Sequence, residues 1–479
     1  MQLAVLVFLA FLLRLINIDK PEGLWNDEYV SWFVASTPLL KGFWQEVLKQ
    51  CHMPLYYLYL KPFAQCSDTV LRMTSVLPSV LAVPVMYLVG KEYSKKTACF
   101  CALTTTVLSF LVYYAQEVRF YSLLFLFSAL LLLFTIRIVN DKKGLLGYVI
   151  SSLLILFTHV LGGIYVFFNT VYLLYKKKKI SKYVILGFFV AGLILIPFGT
   201  NILRMLPSSQ WWGMFTYNNI LFLFTDFFSP VLTNNVNVPH EFFYNKDFLW
   251  LIIFLAPTLI ALYGLISGAK KQRGFAVVCL AVIISMAVLA FGGKVVFITK
   301  YMIEILPALI LLFVLGVENR KLLFSIFITF HLFAVFTPIY TAKLPRSEGH
   351  KLVCDILNEK QPDKIIYTYY ASDRFSRYMD KEIPSFWIDK TMRFVYLDNP
   401  SKILENVNIG ERVSLVILDS VSFIPEHLIE ESKSRNLPEM FVTFSLVKHS
   451  LIREINDNYQ DFDVQTKGSW TVITATRFK

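Results

Sequence analysis

An apolar run, MQLAVLVFLAFLLRLINID, opens the chain. Ten more follow near residues 70–90, 97–114, 120–138, 145–160, 163–175, 182–198, 248–268, 275–292, 297–317 and 321–339. Several approach the ~20 residues that a helix needs to cross a bilayer. Hydrocarbon offers no partner to a backbone N–H or C=O, so a segment that crosses it must satisfy itself as a helix. The first two thirds of the chain are therefore expected to form a helical bundle of about eleven spans. Composition agrees: hydrophobic residues make up 56% of 479 and charged residues only 17%, too few to solvate a soluble protein of this length.

The formal net charge is +12. It sits in short clusters between apolar runs rather than along one polar face, which argues against a nucleic-acid partner. The clusters are KEYSKK at 91–96, Arg137 with Lys142 and Lys143, KKKK at 176–179, KKQR at 270–273, and Arg320 with Lys321. All five fall on one side if the N-terminus is cytoplasmic, as the positive-inside rule requires. The opening run lacks a basic leader and a small-residue cleavage site, so it reads as a retained span. HMPLYYLYLKPFAQ, 52–65, is short and carries Lys61, and crossing there would move KEYSKK outside. It is expected to lie as an interfacial or re-entrant helix in the outer leaflet.

After about residue 344 the composition turns soluble. DKIIYTYY (363–370) and VSLVILD (413–419) read as strands, EHLIEESKSR (426–435) and SLVKHSLIREINDNY (445–459) as helices. FDVQTKGSWTVITATRF reads as a hairpin turning at Lys467-Gly468. The expected organisation is an all-α polytopic membrane domain over 1–343, its outer loop 19–69 carrying an acidic pair, and an α/β domain over 344–479. An odd number of spans puts that domain outside. The six cysteines show no CxxC pair or metal spacing. Cys51 and Cys66 would lie roughly 22 Å apart on one helix, too far for a disulfide. Neither an essential disulfide nor a structural metal is expected.

The same topology brings Asp27-Glu28, His52, Arg72, Gln116-Glu117-Arg119, His159, the loop 199–246 and Lys300-Tyr301 to the outer face, although none of them was used to draw it. Each has a plain alternative. Asp27 and Glu28 suit a capping pair in a first helical turn. HMPLYY suits a helix start with a tyrosine belt, Glu117 with Arg119 a neutralised loop pair, His159 a satisfied helix-end histidine, and Lys300 a snorkelling lysine. Ionisable groups at membrane depth nevertheless mark function by default, and here separate spans bring several to one level. One carboxylate base beside several cations suits transfer of a group from an anionic lipid. A glycosidase needs a second carboxyl to protonate its leaving alcohol, whereas a lipid phosphate leaves once its charge is stabilised. The non-enzyme alternative is a polytopic lipid or sugar transporter or flippase, which would keep its charges near mid-membrane in paired halves.

The order of motifs resembles a known group. DE follows the first span, then His-x-Pro-x-Tyr-Tyr, an Arg opening LRMTSVLPSVLAVPVMYLVG, YAQEVRFYSLL, FTH with glycines, and KYMIEILPALILL. The pattern, over roughly residues 1–340, is similar to the bacterial relatives of protein O-mannosyltransferases and of the aminoarabinose transferases that modify lipid A. These are GT-C membrane glycosyltransferases using polyprenyl-phosphate sugars. The resemblance implies Asp27 as the base that activates an acceptor, with Glu28 orienting it. It implies His52, Arg72, Arg119, Lys300 and Tyr301 around the donor phosphate, supported by Tyr56, Glu117, Tyr121 and His159. It implies inversion at the sugar carbon, a glycan, lipid or protein acceptor, and a bacterial inner-membrane location with site and C-terminal domain outside. The chain lacks the Lys-Pro-Pro element of the aminoarabinose enzymes and has His-Met-Pro for His-Pro-Pro, so sugar and acceptor stay unassigned. Oligosaccharyltransferases share the architecture but carry a WWDYG-like motif in their soluble domain; here WWGM, 211–214, lacks the Asp. No metal ligand and no cofactor is assigned, and a divalent cation is left open.

Overall fold

The computed structural model describes residues 2–21, 23–50, 53–177, 217–229, 248–292, 297–335, 349–367, 377–387, 407–418, 459–467 and 470–478, with residues 192, 196, 198 and 200. Packing groups residues 1–18 with 30–344 in one compact unit, and 19–29 with 345–479 in a second.

The first unit is helical: α1 (Gln2–Leu15), the larger part of α2 (Asn26–Ser36), α3 (Trp44–Lys49), α4 (Pro54–Leu60), α5 (Asp68–Lys91), α6 (Lys95–Val107), α7 (Ser109–Tyr114), α8 (Tyr121–Val139), α9 (Leu145–Thr158), α10 (Gly162–Lys176), α11 (Tyr217–Phe228), α12 (Phe248–Lys271), α13 (Arg273–Phe291), α14 (Leu306–Val317) and α15 (Lys321–Val335). Among the described residues, Asp68–Lys91, Tyr121–Val139, Arg273–Phe291 and Thr299–Val317 are long and apolar enough to cross a membrane, and α1, α9 and α15 are shorter apolar helices. The run near 182–198 lies almost wholly outside the described residues.

Two expected spans are broken, each for a local reason. The run 97–114 divides at Leu108, whose ψ of 113° ends α6. The Ser109 N–H, left without a helical acceptor, donates to His331 Nδ1 at 3.2 Å. That places the ring proton on Nε2, 3.2 Å from the Phe228 carbonyl, so one buried histidine joins α7, α11 and α15. The run 297–317 starts as a 3-10 turn, Thr299–Ile305, kinked at Met302. Pro307 then stands in the first turn of α14, where its missing N–H costs nothing.

The early end of α6 also leaves carbonyls to satisfy. Arg14, fully buried on α1, donates to Thr105 O (3.0 Å), Thr106 O (3.0 Å), Ala10 O (3.1 Å) and Ser79 Oγ (2.7 Å). One guanidinium thus ties α1, α5 and α6. Arg14→Leu should cost about 3 kcal/mol or more, since the orphaned carbonyls stay buried; a thermal melt in detergent measures it. The segment 52–65 is interrupted as well: α4 gives way to a 3-10 turn at Lys61–Phe63. The Lys61 ammonium donates to Ala35 O at 3.0 Å and to Thr37 O. The lysine that argued against a span therefore caps the C-terminal end of α2.

Helices α12 and α14 meet backbone to backbone. A Cβ at Gly268 would fall 1.8 Å from Leu312 O, and one at Gly316 would fall 1.9 Å from Gly264 O. Small residues let membrane helices approach this closely. Gly268→Ala and Gly316→Ala should each cost about 2–3 kcal/mol as overpacking, read as a lower melting temperature.

In the second unit, α16 (His350–Lys360) covers a five-stranded sheet of β1 (Lys364–Tyr367), β2 (Ser385–Trp387), β3 (Arg412–Leu418), β4 (Tyr459–Lys467) and β5 (Trp470–Arg477), in the order β2-β1-β3-β5-β4. β1 runs parallel to β2 and β3, and β5 antiparallel to β3 and β4. Val353, Cys354 and Leu357 of α16 pack on Ile365, Val416 and Val472. The expected hairpin is present, Lys467 pairing with Trp470. The helix expected over 445–459 needs one correction, because Tyr459 is the first residue of β4, paired with Arg477. The rest of that helix, and the one at 426–435, lie outside the described residues.

Lys364 Nζ lies 2.7 Å from Glu411 Oε2. That bond, helped by the Asn408 N–H, holds the Glu411 carboxyl down at about 2. The folded value lies below the unfolded one of about 4.3, so the pair's stabilisation is whole above the latter and is lost as pH falls through the former. Melting of the full chain from pH 6 to pH 2 should show a steeper loss in the wild type than in Lys364→Met.

Candidate functional site

The helical unit gathers most of the expected cations. Residues 115–120 form a tight turn between α7 and α8, in which the Arg119 N–H donates to Glu117 O at 2.7 Å. The turn is fastened from α5, where Ser75 Oγ donates to Arg119 O at 3.2 Å. Arg119 is 3% exposed. Its Nη1 donates to Ser31 Oγ at 3.2 Å, and its guanidinium carbon lies 5.2 Å from the Phe120 ring centre and 5.9 Å from that of Tyr121.

Lys300 stands by the same Tyr121 ring, its ammonium 5.8 Å from the Tyr121 centre and 5.5 Å from that of Tyr301. It is 6% exposed. His159, in extended conformation where α9 ends, completes a stack: its ring lies 4.6 Å from Phe120 and 5.7 Å from Tyr301, both nearly parallel. Tyr56 of α4 approaches the far edge of Phe120 at 6.3 Å. Aromatic faces steady desolvated cations by about 2 kcal/mol each, a fraction of what an ion loses on leaving water. Two cations held this way about one tyrosine form a surface complementary to an anion.

Of the other expected site residues, Arg72 is fully buried on α5 and donates to Ile18 O at 3.3 Å. Glu117 is buried in the turn, and His52 lies outside the described residues. Asp27 and Glu28 open α2 but belong by packing to the second unit. There Glu28 is fully buried and its Oε2 accepts from the Trp25 N–H at 3.1 Å, the reach-back of a third helical residue to its cap. Glu28 thus takes the capping part of the plain alternative. Among the described residues no three His, Cys, Asp or Glu side chains converge as a metal centre.

Sequence alone missed Asp226. This residue of α11 is 8% exposed and accepts from Thr299 Oγ1 at 2.8 Å, directly before Lys300. The signal was available: TDFF sets one carboxylate in an apolar helix, and such a residue is functional by default. Thr299→Val should cost about 1.5–3 kcal/mol as a lost bond to a buried carboxylate, with Thr299→Ser near wild type in a detergent melt.

No protein-family profile matches the chain, and no curated protein matches it by sequence. Solved structures do match by fold. Apo ArnT from Cupriavidus metallidurans aligns over 98% of this chain and 97% of its own, with TM-score 0.56 and 11% identity. ArnT bound to undecaprenyl phosphate aligns over the same shares with TM-score 0.55 and 13% identity. The chain shares the GT-C fold. An oligosaccharyltransferase from Archaeoglobus fulgidus, in complex with zinc and sulfate, aligns over 100% of this chain and 73% of its own, with TM-score 0.51 and 12% identity. The expected architecture, apolar helices followed by a small C-terminal sheet, is the one observed. At such identities the likeness carries the fold, and function has to be argued from the site.

Proposed function

We propose that the protein is a membrane glycosyltransferase that moves a sugar from a polyprenyl-phosphate donor to an acceptor hydroxyl or phosphate on a protein, lipid A or another glycan. The observation that carries this reading is the pair of buried cations, Arg119 and Lys300, about the Tyr121 ring beside the His159–Tyr301 stack. In the proposed step Asp27 takes the acceptor proton. The acceptor oxygen bonds to the sugar carbon from the face opposite the phosphate, the carbon–oxygen bond to phosphate breaks, and the electron pair leaves with the lipid phosphate. Arg119 and Lys300 stabilise the charge that develops there, so no proton donor is required. The solved ArnT complex with undecaprenyl phosphate supports a lipid of this class on this fold. The basic clusters support a cytoplasmic N-terminus, with the site at the outer face of a bacterial inner membrane.

The test is to weigh the lipids that co-purify with the full chain by mass spectrometry, then offer it a panel of undecaprenyl-phosphate hexoses and pentoses. A polyprenyl phosphate in the preparation and turnover of at least one donor are expected. Lipid binding without sugar transfer would favour a transporter, and neither would remove the proposal.

A further inference from the structure

The stretch leading into Asp27 is gripped by residues more than 320 positions away, all within the second unit. The Leu24 N–H donates to Tyr378 Oη at 2.8 Å, across 354 residues. His350 Nδ1 lies 3.4 Å from the Leu24 carbonyl, across 326. Gly23 has φ +84°, and a Cβ there would fall 2.8 Å from both Tyr378 Oη and Lys351 Cβ. Backbone conformation and lack of space therefore both demand glycine. Leu24 is buried at 1% exposure.

The gripping residues are themselves anchored. Asn358 Nδ2 of α16 donates to the Tyr378 carbonyl at 2.9 Å. Tyr378 also packs on the core that α16 shares with the sheet, built from Val353, Cys354, Ile356 and Leu357. His350 is the first residue of the same helix and is fully buried. From Leu24 the path onward is short: the Trp25 N–H bonds to Glu28, and α2 begins at Asn26 with Asp27 second.

We propose that the C-terminal domain is a positioning device for the acidic pair, with Tyr378 and His350 as positioning residues that fix the Leu24 peptide and through it the first turn of α2. This rests on the reading of Asp27 as the base. Reaction rates fall up to about 100-fold for a 1 Å misplacement of a reacting group, so a clamp three residues from the base controls turnover without touching donor or acceptor.

Tyr378→Phe in the full chain removes one oxygen and leaves the ring. By hydrogen exchange, amides 24–28 should exchange at least about tenfold faster while those of Val353 to Leu357 stay protected. With a donor from the panel, kcat should fall about tenfold at unchanged donor KM. Gly23→Ala, pressing on the same contact from the other side, should reproduce the pattern, and Tyr378→Phe stands alone where that variant does not fold. Wild-type exchange at 24–28, faster exchange with unchanged kcat, or faster exchange throughout α16 would each overturn the proposal, the last by making the contact merely structural. An inactive Asp27→Asn beside a wild-type-like Tyr378→Phe sinks this inference alone, whereas an active Asp27→Asn sinks the base and the inference together.

Discussion

Asp27→Asn is expected to leave a folded, membrane-inserted protein whose sugar transfer is at least about 1,000-fold slower, a loss of roughly 4 kcal/mol of transition-state stabilisation. The substitution keeps size and shape and, on the proposed reading, removes the group that takes the acceptor proton. The first turn of α2 keeps one of its caps in this variant, because the Trp25 N–H is satisfied by Glu28. Glu28 supplies the contrast. Glu28→Gln still presents an oxygen to Trp25 and should retain most activity, while Glu28→Ala loses the cap, about 1 kcal/mol of helix stability. On the proposed reading, these variants separate a chemical role for Asp27 from a capping role for Glu28. Donor consumption and product formation, followed by mass spectrometry in membranes of matched protein content, read the difference. Transfer by Asp27→Asn at the wild-type rate would remove this residue as base.

Much of the fold is legible in the sequence because hydrocarbon is an unforgiving solvent. Apolar runs bounded by basic clusters mark α5, α8, α12, α13 and α15 to within a few residues. The departures occur where a tertiary partner replaces a backbone bond. Nothing in TTTVLSFLVYY announces the break at Leu108, because what takes up the Ser109 N–H is His331, 222 residues away. A histidine inside SIFITFHLFAV reads as incidental until its ring is seen to serve two other helices. In the second unit the hairpin is legible from its alternation and its Lys-Gly turn. α16 and the short strand β2 were not expected, because their stability comes from packing on the sheet. The candidate site divides in the same way. Arg119, His159, Lys300 and Tyr301 could be singled out from separate spans by depth, Tyr121 entered only through the resemblance, and packing unites them. Asp226 escaped because residues 199–246 were read as an outer loop, whereas Tyr217–Phe228 is a helix, and because its partner Thr299 is 73 residues distant. The grip on Leu24 escaped because backbone groups recognised by a distant tyrosine leave no trace in local pattern.

Arg119→Ala and Lys300→Ala should each weaken binding of undecaprenyl phosphate by about 10- to 100-fold, and the double variant should abolish it at accessible concentrations. Each cation is more than nine-tenths buried, so its attraction for a phosphate is screened less than at an open surface. A charge-assisted hydrogen bond in such surroundings contributes about 1.5–3 kcal/mol, which matches the single-variant loss at 1.4 kcal/mol per decade. Arg119 and Lys300 lie 5.9 and 5.8 Å from the Tyr121 ring centre, and if one bound phosphate engages both, their losses need not add. Conservative changes separate charge from geometry. Lys300→Arg keeps the charge but places a wider planar group between Tyr121 and Tyr301, and Arg119→Lys gives up the donor that reaches Ser31. If charge alone matters, both retain binding; if the fork and the ring contacts matter, both lose about tenfold while the melting temperature stays near wild type. Binding of undecaprenyl phosphate followed by native mass spectrometry at several salt concentrations distinguishes these outcomes. The salt dependence should be shallow for the wild type, because buried charges are poorly reached by counterions. Full binding by the double variant would show that the cation pair about Tyr121 is a packing feature, and would leave the donor phosphate without its proposed seat.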